Sequence, residues 1–254
     1  MAQASVGFHC PECVQGAARN APVYTTRNLP TDKPWATYTF MALCIAVFVA
    51  CIATLGPGGD PVNNLNGRVV EEGILWGPLV GLGEWWRLVT SGFLHAGILH
   101  LGMNMYVLYS IGPQMERVLG HLRFAGLYLG ALLAGSLGVM IVSPNAQTLG
   151  ASGAIFGLLG AAAAYQWANG IDIRRSGLGM LILINVGFTV FFSGYLSVGG
   201  HFGGLIGGAA LGYALVWLEQ RKQPVAIGLL AAAVFMLGCA AAAIILAPAV
   251  TRLG

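Results

Sequence analysis

Two stretches of this chain set a polar side chain among glycines inside long apolar runs. One reads Gly150-Ala151-Ser152-Gly153-Ala154-Ile155-Phe156-Gly157; the other reads Gly199-Gly200-His201-Phe202-Gly203-Gly204-Leu205-Ile206-Gly207-Gly208. A serine hydroxyl attacks poorly until a base takes its proton, and an imidazole can be that base. Gly153/Gly157 and Gly203/Gly207, with Gly204/Gly208/Gly212, are small-x-x-x-small patterns that let two helices touch closely. Where those faces meet, Ser152 and His201 come within hydrogen-bond reach. A lone serine in a membrane helix ordinarily bonds its own backbone, and a lone histidine at a span start ordinarily sits at the interface. The shared depth, shared side and matching glycines point to a pair instead.

A third polar cluster, His95-Ala96-Gly97-Ile98-Leu99-His100-Leu101-Gly102-Met103-Asn104, opens another apolar run. His100 and Asn104 are four apart and share a helical face. Both can donate hydrogen bonds to one oxyanion, and the Ser152 backbone N–H at a helix N-terminus supplies a further donor. A zinc site of His95, His100 and His201 lacks a carboxylate or thiolate at matching depth, so neither metal nor cofactor is expected. The nine acids all fall outside the expected spans. A Ser–His dyad without an orienting carboxylate is the expectation.

The elements that must carry these groups follow from composition. Of 254 residues, 57% are hydrophobic and 8% charged, and mean hydropathy is +0.75. Soluble domains carry about 25% charged residues, so a soluble domain is excluded. A net charge of +3, dispersed along the chain, excludes a nucleic-acid surface. The 38 glycines follow no collagen period and suit close helix packing in a bilayer. The chain reads as an all-α polytopic membrane bundle with the lipid bilayer as its solvent. At about 20 residues per span, the spans are expected at 36–55, 96–113, 122–142, 151–168, 177–195, 201–218 and 225–247. The 56–95 segment holds Trp76, Trp85, Trp86 and Arg87, the composition of an interfacial element. Nine of the twelve Lys and Arg residues fall on one side when the N-terminus is cytoplasmic and the C-terminus outside, the orientation the positive-inside rule favours. No cleavable leader is expected, because the first apolar run lies behind a polar arm and is long enough to remain as a span.

Together these pieces resemble the rhomboid family of intramembrane serine proteases. The matching residues are Trp86-Arg87, His95, His100-x-x-x-Asn104, Glu116 and Gly120, Gly150-Ala151-Ser152-Gly153 and His201-x-Gly203-Gly204, in the family's order. The resemblance implies a six-helix core plus one extra C-terminal transmembrane helix. The parts are then a cytoplasmic arm at 1–35, a core of six spans at 36–219, and a seventh span and tail at 220–254. It implies that Ser152 attacks a peptide bond in a transmembrane protein substrate and that His201 is its base and acid. His100, Asn104 and Ser152 would bind the oxyanion, with Phe156 packed on the histidine ring. His95, Trp86, Arg87, Gly150 and Gly153 would be supporting residues. Two departures stand out: Glu116-Arg117-Val118 replaces a Glu-x-Arg ion network, and Gly200 replaces an alanine, which is expected to loosen the outer loop.

Two other functions compete with proteolysis, a non-catalytic rhomboid-like binding factor and a small-solute transporter. The first would typically lack Ser152 or His201, and the second would want inverted repeats. In the arm, Cys10-Pro11-Glu12-Cys13 is half of a tetrahedral site. It resembles the last piece of a zinc-binding segment that precedes some bacterial rhomboid-like cores. No stoichiometric zinc is expected there. Substrate identity and oligomeric state are not legible.

Overall fold

The computed structural model describes residues 2–3, 8–9, 33–55, 59–60 and 67–248. The chain divides into two units, Met1–Lys33 and Pro34–Gly254. In the first, β1 (Ala2–Gln3) pairs antiparallel with β2 (Phe8–His9); Cys10 and Cys13 lie outside the described residues.

The second unit is helical. It begins with α1 (Trp35–Ala53), followed by three short helices, α2 (Arg68–Gly73), α3 (Gly77–Gly81) and α4 (Arg87–Thr90), and a 3-10 turn at Ser91–Phe93. Six longer helices complete it: α5 (Ile98–Leu119), α6 (His121–Val142), α7 (Ser152–Ala168), α8 (Leu178–Phe191), α9 (Val198–Gln220) and α10 (Val225–Leu246). Among the described residues, α1, α6, α9 and α10 are each long and apolar enough to cross a membrane, and α8 is a shorter apolar helix. This is a polytopic helical bundle, with helices where all seven spans were expected.

Helices α6, α7 and α9 form the centre, α6 being the most enclosed. They meet backbone to backbone. A methyl on Gly204 would run into Gly153 O, one on Gly208 into Gly157, one on Gly160 into Leu205 O, and one on Gly138 into Gly199 O. With no hydrophobic drive between helices in lipid, such close fits hold a bundle together by dispersion contacts. Helices α1, α5 and α10 pack around this centre. Helix α8 is the loosest member: Leu178 and Thr189 are its only buried residues.

Three features differ from expectation in informative ways. The second span is expected to end at 113, yet α5 runs on through Pro113 to Leu119 and ends at Gly120, whose φ of +76° is the left-handed conformation glycine adopts without penalty. Glu116 is therefore not in a loop but buried within a helix. It accepts hydrogen bonds from Ala36 N (2.8 Å), Thr37 N (2.8 Å) and Thr37 Oγ1 (2.6 Å), and its Oε1 lies 2.5 Å from His121 Nδ1. The carboxylate thus caps the first turn of α1, whose amides have no partner within the helix. An ion network does form here, with partners other than Glu-x-Arg. Arg123 pairs with Glu219 and donates to Gln223 O at 2.6 Å, tying α6 to the α9–α10 turn. The third difference is at α9, which starts three residues before the expected span. Gly200 lies in its first turn, where its N–H donates to the Ser197 hydroxyl at 3.1 Å, so it belongs to the helix rather than to the outer loop.

Candidate active site

Ser152 is the first residue of α7, and the chain before it is pinned. Thr148 and Leu75 exchange backbone hydrogen bonds (2.9 and 3.0 Å), Gly77 N donates to Pro144 O (2.9 Å), and Gly150 N donates to Ser91 O (2.9 Å). Trp76 Nε1 adds a bond to Asn145 O at 3.2 Å. The interfacial segment is itself held by Arg87, a buried guanidinium. It donates to Glu71 O and Ile74 O, both at 2.8 Å, and pairs with Glu84. Trp86 Nε1 donates to Glu72 O at 3.0 Å. Trp86 and Arg87 therefore tie down the segment that positions the Ser152 loop, and neither bonds to Ser152 or His201.

The close glycine contact of α7 with α9 has its consequence one turn before Gly204 in α9. His201 Nε2 lies 2.8 Å from Ser152 Oγ. The imidazole stacks on Phe156, with ring centroids 4.2 Å apart and planes 12° from parallel. Its other nitrogen, Nδ1, is 2.7 Å from the hydroxyl of Thr189 on α8. His201 and Thr189 are both buried. The expected absence of an orienting carboxylate leaves that position to a threonine that sequence reasoning did not single out. The signal was available in one form: Asn185 and Thr189 are the polar residues of an otherwise apolar helix, four apart on one face.

His100 stands beside this pair. Gly150, at φ +129°, has its Cα against the His100 ring, where a methyl would come within 2.9 Å of Nε2 and 3.6 Å of Ser152 Oγ. Ala96 N donates to His100 Nδ1 at 3.4 Å, so that nitrogen accepts and the neutral ring carries its proton on Nε2. The ring edge that carries this N–H is the one that lies against Gly150, two residues before Ser152. Asn104 is buried one turn below and returns Nδ2 to His100 O at 2.9 Å, which leaves its second amide hydrogen free of that bond. His95 is fully enclosed, edge-on to His100 at 5.1 Å, with Nδ1 3.2 Å from Phe93 O. Burial first, and the neighbouring His100 second, push its imidazole down to about 3. Gly153 faces Gly200 O across the α7–α9 contact. Among the described residues no three His, Cys, Asp or Glu side chains gather as metal ligands.

The geometry defines a hydroxyl bonded to a buried imidazole, with further donors at its side, within a multi-pass helical bundle. Residues 82–218 match the family model of the Rhomboid domain. The chain belongs to the rhomboid family. It is 38% identical over 209 residues to the protein named Rhomboid protease GluP of Bacillus subtilis, covering 80% of this chain and 40% of that protein's length. It is 31% identical over 221 residues to RHOMBOID-like protein 5 of Arabidopsis thaliana, covering 75% of this chain and 72% of the relative. A further relative, 32% identical over 173 residues and covering 66% of this chain and 47% of its own length, is named Inactive RHOMBOID-like protein 8 of Arabidopsis thaliana.

Proposed function

We propose that this protein is an intramembrane serine endopeptidase, cleaving transmembrane segments of other membrane proteins. The observation that carries the reading is the 2.8 Å approach of His201 Nε2 to Ser152 Oγ. In the reaction, Ser152 Oγ attacks the carbonyl carbon of the scissile bond while its proton passes to His201 Nε2. The oxyanion accepts from the Ser152 backbone N–H, the His100 Nε2–H and the remaining Asn104 amide hydrogen. Collapse expels the amine, which takes the proton from His201. A water molecule, deprotonated by the same imidazole, then hydrolyses the acyl ester and restores Ser152. The scheme needs no metal or cofactor. Substrate helices with Gly, Ala or Ser near the scissile bond unwind most readily and are the preferred class. The N-terminus is cytoplasmic and the C-terminus outside, which puts the amino ends of α7 and α9 toward the outer face.

The competing reading is a non-catalytic rhomboid-like binding factor, and a relative carrying the word inactive in its name keeps it in play. The retained serine and histidine favour proteolysis. Labelling by a fluorophosphonate, which reacts with an activated serine, separates the two. Wild-type protein is expected to label and to cleave a model transmembrane substrate. Ser152→Ala and His201→Ala are each expected to do neither while melting at the wild-type temperature. Cleavage by either variant at the wild-type rate would rule out the dyad.

A further inference from the structure

For His201 Nε2 to take the serine proton it must be unprotonated, so the neutral ring must keep its hydrogen on Nδ1. Imidazole is free to adopt either tautomer, and something has to choose. In serine hydrolases built on a triad the chooser is a carboxylate. The only hydrogen-bond partners of the His201 ring among the described residues are Ser152 and Thr189.

Thr189 Oγ1 is placed between two groups, 2.7 Å from His201 Nδ1 and 2.8 Å from Asn185 O. The carbonyl can only accept, and the hydroxyl has one proton to give. With that proton on the carbonyl, the oxygen lone pairs face Nδ1, and Nδ1–H donates to them. The chain then runs Ser152 Oγ–H to His201 Nε2, Nδ1–H to Thr189 Oγ1, and Thr189 Oγ1–H to Asn185 O, three bonds with every proton placed. The reverse arrangement has Thr189 donating to Nδ1 and Nε2–H facing the serine. It makes two bonds, abandons the carbonyl, and leaves no base. One extra bond between neutral groups favours the first arrangement by roughly fivefold to tenfold. Thr189 is 1% exposed and His201 5%, so bulk water does not offer a substitute partner.

We propose that Thr189 is the third member of the site, a positioning residue that holds His201 in the Nδ1–H tautomer. A hydroxyl does this without bringing a charge into a low-dielectric bundle, where an ion is costly. The only hydrogen bond from an α8 side chain to another helix, among the described residues, is this one. How α8 seats against α9 therefore decides whether the base is ready. The catalytic consequence rests on the proteolytic reading; the tautomer does not.

The test uses full-length protein in lipid nanodiscs, ¹⁵N-labelled at histidine, with His201→Gln to assign the resonances. Thr189→Val keeps the shape and removes the hydroxyl, and Thr189→Ser restores it. Wild type and Thr189→Ser are expected to show Nδ1–H, and Thr189→Val a shift toward Nε2–H. Fluorophosphonate labelling and kcat on a model transmembrane substrate are expected to fall about tenfold in Thr189→Val with KM unchanged, and to recover in Thr189→Ser. Should the valine variant fail to fold, Thr189→Ala takes its place. A valine or alanine variant with the wild-type tautomer would overturn the proposal, as would a serine variant no faster than valine at equal melting temperature. A wild-type protein that neither labels nor cleaves would defeat the proteolytic reading, and the tautomer spectra would still decide the role of Thr189.

Discussion

A single methyl added at Gly204 tests whether the glycine seam sets the geometry of the site. An alanine Cβ there would run into Gly153 O, with Gly153 C at 2.8 Å and Gly153 Cα at 3.1 Å, where ordinary contact begins near 3.4 Å. All three atoms are backbone, so no rotamer change relieves them. Helix α9 has to retreat from α7 by roughly 1 Å at that level, because close-packed interiors hold little slack. His201 lies one turn away on the same helix and Ser152 is the residue next to Gly153, so the retreat opens the 2.8 Å bond between them. A misplacement of about 1 Å costs on the order of 10²-fold in rate, and the overpacking itself costs about 1–3 kcal/mol of stability. Gly153→Ala is the control: its Cβ would meet Gly200 O at 3.3 Å and Gly135 Cα at 3.6 Å, which needs only a small adjustment. Fluorophosphonate labelling and thermal melting of both variants, measured in one lipid, give the comparison. Gly204→Ala is expected to label about a hundredfold more slowly, and Gly153→Ala near the wild-type rate. Wild-type labelling by Gly204→Ala would refute the claim that the seam holds the pair in place.

Other outcomes follow from the same geometry. His100→Ala and Asn104→Ala are each expected to lower kcat on a model substrate, by up to ~10²–10³ where the lost donor reached the oxyanion; unchanged kcat in both would remove them from the site. His95 stays neutral in the fold down to about pH 3, against 6.5 for an ordinary imidazole. The unfolded chain therefore binds the proton first, and stability is expected to fall as pH drops from about 6.5 toward 3. Melting temperatures across that range check the slope, which His95→Leu should flatten; an equal slope in the variant would assign it elsewhere. Asn145→Cys is expected to react with a membrane-impermeant thiol reagent in intact cells, and Asp172→Cys is not; the opposite pattern would invert the proposed orientation.

The serine–histidine encounter was legible because its signal is local. Small residues at four-residue spacing mark the faces that can touch, and each face carries one polar group. Phe156 was legible only through the family resemblance, which implied an aromatic one turn from Ser152 on α7. The end of α5 was not. Proline inside a helix normally breaks it, yet a membrane helix can lose one backbone bond when its neighbours hold it, and here Glu116 anchors that last stretch to α1. Gly200 read as loop because glycine outside an expected span resembles a linker; the Ser197 cap that draws it into α9 is a matter of three residues. Thr189 escaped because its partner lies across a turn on another helix, and hydrophobic periodicity says nothing about which buried hydroxyl meets which ring.

The seam also fixes an order in time. Helix α9 fits against both α6 and α7, and its histidine is 49 residues further along the chain than the serine it bonds. At roughly 5–20 residues per second of synthesis, α7 is made several seconds before α9. Throughout that interval the hydroxyl lacks the His201 imidazole it bonds in the complete bundle, and the glycine faces of α6 and α7 have only each other or lipid to touch. A ribosome-bound chain at this stage carries the serine but not its base. On the proteolytic reading proposed above, the chain cannot act on its own emerging helices until α9 is in place.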